Sequence, residues 1–341
     1  MNNRPKIVVL TPVRNEAWIL KRFLAVTSAF ADHIIIADQH STDESRDICK
    51  GFQKVWLIEN AATEYNEWAR QKLLIEEARR RVPSPRILLA LDADEILAAD
   101  GSALQGWSDM LHAAPGTVLW FEKPDLCITT RECNRFYDHY WPLGYVDDGA
   151  EHSASLIHSR RVPCTDSSHH LKVHDVKFLH YNMVRPAANM AKRRMYCVIE
   201  ALAGTKSWVR RMLEYRSGTD WTKQGPLEPC PESWFDGWER MGIDMHTVPQ
   251  SPFHWQDVEV LGKMKEFGEG RFYHEDIWDF DWEACRRWAV KEGIQNVPNV
   301  PIKGPGSLRR MFLKVSHVTL GSLRTSYRLI GRFRSRLRKT G

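Results

Sequence analysis

Over its first hundred residues the chain repeats one unit: a short apolar run, a polar stretch, then a segment patterned for a helix. That alternation restricts the fold more than any other feature. Ile7, Val8, Val9 and Leu10 are continuously apolar, as in a strand covered on both faces of a parallel sheet. Over residues 16–30, Ile19, Leu20, Phe23, Leu24 and Phe30 are spaced for one helical face. Residues 33–37, 55–58 and 86–91 read as three further strands, and residues 66–81 as a helix stopped by Pro83 and Pro85. Ser41, Thr42, Asp43 and Glu44 have the capping-box pattern, with Ser41 placed to accept from the backbone and Glu44 to reach back.

Strand, helix and strand at this spacing imply right-handed crossovers and a parallel sheet. Ligands of such sheets sit outside the carboxyl ends of the strands. Those ends are polar here: Thr11 to Glu16 after the first strand, Asp38-Gln39-His40 after the second, Asp92 and Asp94 after the fourth. No GxGxxG follows the first strand and no GxxxxGK[ST] occurs anywhere, which argues against a glycine-rich dinucleotide site or a P-loop. Asp92 and Asp94, two apart on an extended run, point to the same side. Paired carboxylates repel unless a cation lies between them, and hard oxygen donors suit Mg²⁺ or Mn²⁺. The plain alternative is an acidic loop facing water.

Four segments in order then carry a resemblance: Thr11-Pro12-Val13-Arg14-Asn15-Glu16, Ala37-Asp38-Gln39-His40-Ser41-Thr42-Asp43, Ala69-Arg70-Gln71 and Leu91-Asp92-Ala93-Asp94-Glu95. Across residues 5–100 this resembles the family 2 glycosyltransferases. In one respect it departs from them: Gln39 and His40 stand where the family has a second Asp and a Gly. The resemblance implies the GT-A fold, a Rossmann-like, mostly parallel α/β sheet flanked by helices, here with a helical C-terminal extension. It implies an inverting, metal-dependent glycosyltransferase with a DXD motif, using Mg²⁺ or Mn²⁺. The sugar would pass from a nucleotide diphosphate donor, UDP, to a glycan or lipid-linked acceptor, as in polysaccharide biosynthesis. Thr11, Pro12, Arg14 and Glu16 match the loop lining the base, Asp38 the acid that accepts from the base imide N–H, and Arg70 a basic residue near the nucleotide. Asp92 matches the position near the ribose, and Asp94 the metal ligand beneath the diphosphate. A His after a late strand with a basic helix beyond it suggests His180 as a second metal ligand, and Arg185 and Lys192 as phosphate contacts. The structural readings of these last three are a satisfied core histidine and a basic helix face.

Inverting transfer needs a base for the acceptor hydroxyl. The candidates are Asp148, then Glu151, with Asp147 beside them; acids next to glycine in turns also serve as simple turn residues. His158, His169, His170 and His174 lack a Cys pair or an HExxH motif, so a structural zinc site is not expected. The late tryptophans, including Trp208, Trp221, Trp234, Trp238 and Trp282, read as core before they read as sugar platforms.

Charge is unevenly placed. Residues 303–341 hold eleven Lys and Arg and no acid, leaving 37 basic against 43 acidic residues elsewhere, a net of −6. An acidic body argues against a body-wide nucleic-acid surface, and the tail is the part that seeks anions. Met311, Phe312, Val315, Val318, Leu323, Leu329, Ile330 and Phe333 make residues 307–338 a basic amphipathic helix able to lie on an anionic leaflet. Seven cysteines without a CxxC pair read as reduced thiols. With no secretory signal at the N-terminus and no apolar run near 20 residues, the expectation is a cytoplasmic protein whose tail can place it peripherally on the inner face of the membrane. The expected division is a GT-A domain over 1–200 (nucleotide half 1–100, acceptor half 101–200), a mainly helical extension over 201–302, and the tail over 303–341. A sugar nucleotidyltransferase is the alternative enzyme, although its usual Gly-rich loop after the first strand is missing. A carbohydrate-binding module and a membrane-surface adaptor are the non-catalytic alternatives.

Overall fold

The computed structural model describes residues 4–62, 66–134, 140–152, 160–164, 168–215, 227–316 and 319. The chain falls into two compact units. One is formed by Met1–Arg185 and Thr222–Pro249, the other by Pro186–Trp221 and Gln250–Gly341.

The first unit opens with β1 (Lys6–Val13), α1 (Ala17–Phe30), β2 (His33–Asp38), α2 (Ser45–Lys50), β3 (Val55–Glu59), α3 (Glu67–Arg81) and β4 (Arg86–Ala90). Its strands pair in parallel in the order β3, β2, β1, β4. Apolar residues on both sides of each strand cause this. Ile7 and Val9 face Ile19, Leu20, Phe23 and Leu24 of α1. Val8 and Leu10, on the other face, pack with Leu74, Ile75 and Ala78 of α3. Each such aliphatic side chain contributes about 1.5–3 kcal/mol on full burial. At the start of α3 the Asn66 side chain accepts from the Ala69 N–H at 2.9 Å.

The sheet continues with β5 (Glu95–Leu97), α4 (Gln105–Leu111), β6 (Thr117–Glu122), β7 (Asp125–Cys127), β8 (Glu132–Asn134), β9 (Tyr140–Val146), β10 (His169–Met183) and β11 (Leu227–Pro229). The full order is β11-β8-β7-β10-β6-β9-β4-β1-β2-β3, with β5 paired to β10. β9 runs antiparallel to both β4 and β6, so β6 points the same way as β4. β10 is parallel to β6 and β7. α4 packs on β10, and it can do so only with a glycine at 106, where a Cβ would lie 2.2 Å from the His174 carbonyl oxygen.

α2 corrects one expectation. It starts at Ser45 with Glu44 as N-cap, and no side-chain cap bond or capping box forms there. Ser41 Oγ accepts instead from the Asn15 N–H at 2.9 Å, in the loop after β1. A tertiary donor has taken the oxygen that the local pattern offered to the helix.

The second unit is helical. Pro186–Ala203 packs against Trp255–Phe267, and Trp255–Phe267 against Trp282–Lys291. Buried within it are two ion pairs, Arg194 with Asp257 at 2.7 Å and Arg211 with Glu275 at 2.6 Å. Residues 307–316 are helical, with Leu308, Met311, Phe312 and Val315 exposed and Leu313 buried. Of the expected tail helix, the rest lies outside the described residues except for position 319. Among the described residues no helix is long and apolar enough to cross a membrane.

Candidate active site

The loops after β1 and β2 are sewn to each other. Asn15 Oδ1 accepts from the Thr42 N–H at 2.7 Å, Ser45 Oγ from the Glu16 N–H at 2.9 Å, and Asp43 Oδ2 from the Ala17 N–H at 3.0 Å. Asn15 and His40 carry φ of +58° and +55°. Left-handed backbone at a residue with a Cβ costs on the order of 1 kcal/mol or more. His40 bears that cost at the position where the family pattern has a glycine.

Asp38 ends β2 beside Val13 and is 1% exposed. Its Oδ2 accepts from Arg46 Nη1 at 2.8 Å, while Oδ1 is buried with no hydrogen-bond partner among the described residues. Thr11 Oγ1 is buried in the same condition. An unsatisfied buried acceptor costs roughly 1–3 kcal/mol unless a ligand donor completes it.

The turn after β4 carries three carboxylates. Glu95 is fully buried, accepts from the Asp92 N–H at 3.0 Å, and pairs with Lys123 at 2.9 Å and Arg161 at 2.6 Å. Burial alone would push its carboxyl up, but Arg161 and Lys123 outweigh that and hold it well below the usual carboxylate range. Arg161 reaches Asp92 as well, Nη2 to Oδ2 at 2.5 Å. Asp94 Oδ2 lies 3.7 Å from His180 Nε2. On the other side of that ring, Nδ1 is 2.5 Å from Asp125 Oδ1, the two residues standing in register on β10 and β7. Burial opposes ionisation of Asp125 but His180 prevails, so its carboxyl is lowered. An ionised carboxylate only accepts, so Nδ1 donates to Asp125, and Nε2 is the ring nitrogen on the side of Asp94. Arg185 completes this rim. Its guanidinium lies 4.3 Å from the centre of the Trp18 ring, whose N–H donates to Glu16 at 2.7 Å. Burial lowers the Arg185 pKa, with Glu16 and Asp94 pulling the other way.

The structure thus draws Glu16, Asp92, Asp94, His180 and Arg185 to the carboxyl end of the sheet, with Thr11 and Pro12 in the last residues of β1, Asp38 at the end of β2 and Arg14 in the loop after β1. Arg70 is half-buried early in α3, which follows the carboxyl end of β3. Lys192 belongs to the second unit, on Pro186–Ala203, with its ammonium 5.8 Å from the Tyr196 ring.

Asp148 is a correction. β9 runs against β4, with Ile87 opposite Val146, and the Asp147 N–H donates to the Arg86 carbonyl. Asp147 and Asp148 therefore stand at the amino end of β4, about 13 Å along the strand from its carboxyl end at Ala90 and farther still from Asp92. Asp147 is a buried counter-ion of Arg79 and Arg86, at 2.7 and 2.6 Å. Asp148 accepts from the Tyr145 hydroxyl at 2.5 Å and from the Ala150 N–H. Neither is placed to serve as a base at the rim. Glu151 is exposed, between Ala150, which accepts from Arg79, and His152, which accepts from Trp68. Sequence reasoning missed Arg46, Lys123, Asp125 and Arg161. Arg46 falls on a predicted helix, but the other three lie 28 to 69 residues from the carboxylates or imidazole they touch, with no local pattern to mark them.

Could these residues hold a divalent ion? Asp94 and the Nε2 side of His180 offer one oxygen and one nitrogen, and Asp125, hydrogen-bonded to the other ring nitrogen, fixes the ring, an arrangement common around metal-bound imidazoles. Among the described residues no group of three or more His, Cys, Asp or Glu is arranged to hold a metal. A two-donor protein set fits Mg²⁺ or Mn²⁺, which draw other ligands from phosphate and water.

Sheet topology and strand-end side chains together define an α/β protein with one large mixed sheet, polar at the carboxyl ends of its parallel strands, and a helical extension. No protein-family model matches the chain, and no curated protein matches its sequence. Among solved structures it is similar to residues 1–349 of S. aureus TarS, with 11% identity, 88% of this chain and 99% of that one covered, and a TM-score of 0.34. It is also similar to glucosyl-3-phosphoglycerate synthase from Mycobacterium tuberculosis, solved with Mn²⁺, UDP and glucosyl-3-phosphoglycerate. There identity is 13%, coverage 36% of this chain and 44% of that chain, and the TM-score 0.26. The chain thus spans under half the length of that synthase. A third is 4-diphosphocytidyl-2C-methyl-D-erythritol synthase, at 12% identity, with 42% and 75% covered and a TM-score of 0.30.

Proposed function

We propose that this chain is a metal-dependent, inverting glycosyltransferase of the family 2 kind, which moves a sugar from a UDP-linked donor to a glycan or lipid-linked acceptor. The observation that carries the reading is the placement of Asp94 beside the His180 imidazole, which Asp125 holds from its other side, at the same sheet end as Asp38. Asp38 Oδ1, buried and without a hydrogen-bond partner among the described residues, accepts from a base N–H such as the uracil imide. Asp94 and His180 Nε2 would hold Mg²⁺ or Mn²⁺. When bound, that ion neutralises charge developing on the diphosphate leaving group. Arg185, stacked on Trp18 beside Glu16 and Asp94, supports the same negative charge from the protein side. Residues 303–341, basic and apolar by turns, would hold the enzyme at an anionic surface where a lipid-borne acceptor resides.

Isothermal titration of UDP with and without Mn²⁺ tests the reading. UDP is expected to bind with Mn²⁺ and to bind at least about tenfold more weakly after Asp94→Ala, the size typical of losses at a metal site. Wild-type protein without metal-dependent UDP binding, or an Asp94→Ala variant that binds as wild type does, would sink it.

A further inference from the structure

The Asp92–Glu95 turn carries three carboxylates and is closed by a backbone hydrogen bond from the Glu95 N–H to the Asp92 carbonyl at 3.0 Å. The Asp92 N–H also donates to the Glu95 side chain at 3.0 Å, while the like charges on Asp92, Asp94 and Glu95 repel one another. The Arg161 guanidinium spans the turn. Arg161 Nη2 donates to Asp92 Oδ2 at 2.5 Å and Nη1 to Glu95 Oε2 at 2.6 Å, and Asp94 also acts on this guanidinium through space. Lys123 takes the other Glu95 oxygen at 2.9 Å, so the buried carboxylate is fully engaged and serves as a fixed post. Arg161 is fixed from its own side too. The next residue, Val162, is 1% exposed in a cluster with Ala90, Val118 and Tyr145, on one face of β4, β6 and β9. The backbone that delivers the guanidinium is therefore anchored in the sheet that carries the turn.

From this geometry, and resting on the transferase reading above, we infer that Arg161 is a positioning residue for the nucleotide site. Its planar fork, braced on Glu95, sets the side-chain direction of Asp92 and the course of the turn that presents Asp94. A point charge cannot do this. A lysine ammonium carries the charge but lacks the two parallel N–H groups that meet Asp92 and Glu95 together.

A double-mutant cycle of Arg161→Lys and Asp92→Asn, read by titration of UDP at saturating Mn²⁺ and by thermal unfolding, tests this. Arg161→Lys is expected to weaken UDP binding about tenfold, in the range found for residues that orient first ligands. In the Asp92→Asn background the same change should cost less than about threefold, because its object is gone. Full additivity, or an Arg161→Lys variant with wild-type affinity, overturns the inference. So does coupling seen in unfolding but absent from UDP affinity, which would make the fork a structural tie alone. Should Arg161→Lys not fold, Arg161→Gln takes its place in the cycle, and failure of both to fold likewise overturns a positioning role. Wild-type protein that binds no UDP with Mn²⁺ removes the transferase reading itself, an outcome distinct from these.

Discussion

At Asp147 two guanidinium groups close on a carboxylate that has no solvent exposure. Burial would raise its pKa, but Arg79, the Gly149 N–H and Arg86 reverse the sign and lower it. The consequence for stability is directional. With the folded-state pKa below the unfolded value of about 3.9, the unfolded chain takes up the proton first as pH falls. The stabilisation is whole above about pH 4 and is lost as pH drops through the folded pKa. Asp147→Asn, which leaves the buried Arg86 and the half-buried Arg79 short of a partner, should cost about 3 kcal/mol at neutral pH, the low end of the range for a broken buried pair. Urea unfolding of both proteins should show the difference shrinking below pH 4, and a constant difference would refute the account. At this scale a residue's place on the chain is legible where neighbouring residues mark it. Asp92 and Asp94 are recognisable from spacing. Asp147 and Asp148, also acids beside a glycine, could be told from site residues only once β9 was seen to run against β4.

Among the elements, α3 shows how far local chemistry reaches. Its apolar spacing, the asparagine before it and the prolines after it are all in the sequence, and the helix runs Glu67–Arg81 with Asn66 as cap. Asn66→Ala should lower stability by about 1 kcal/mol, measured by chemical denaturation, since one orphan N–H of the first turn loses its acceptor. No change would mean that solvent replaces the cap. α2 is the opposite case. The capping pattern at Ser41 was equally good on paper, but Asn15 reached that oxygen first. A side chain with one acceptor satisfies the nearest well-aligned donor, and a donor 26 residues away has no local signature.

For the molecule as a whole the open question is what the basic end of the chain touches. The described part of the tail shows Leu308, Met311, Phe312 and Val315 to solvent, beside Arg309, Arg310 and Lys314. Each cation near an anionic leaflet is worth about 1 kcal/mol. The full chain is therefore expected to sediment with phosphatidylserine vesicles at low salt and to be released at high salt, while a chain lacking residues 303–341 stays in the supernatant. Equal sedimentation of the two would exclude the tail as the anchor.

Periodicity and strand-end polarity in the sequence were enough to determine the parallel half of the sheet, its helices and the carboxylates at its rim, because a covered strand and an amphipathic helix are written in neighbouring residues. The partners of those carboxylates were decided by the tertiary structure: Arg161 at Asp92 and Glu95, Lys123 at Glu95, Asp125 behind His180. Distant segments meet only after the sheet has formed, and charges choose their counter-ions by distance in space.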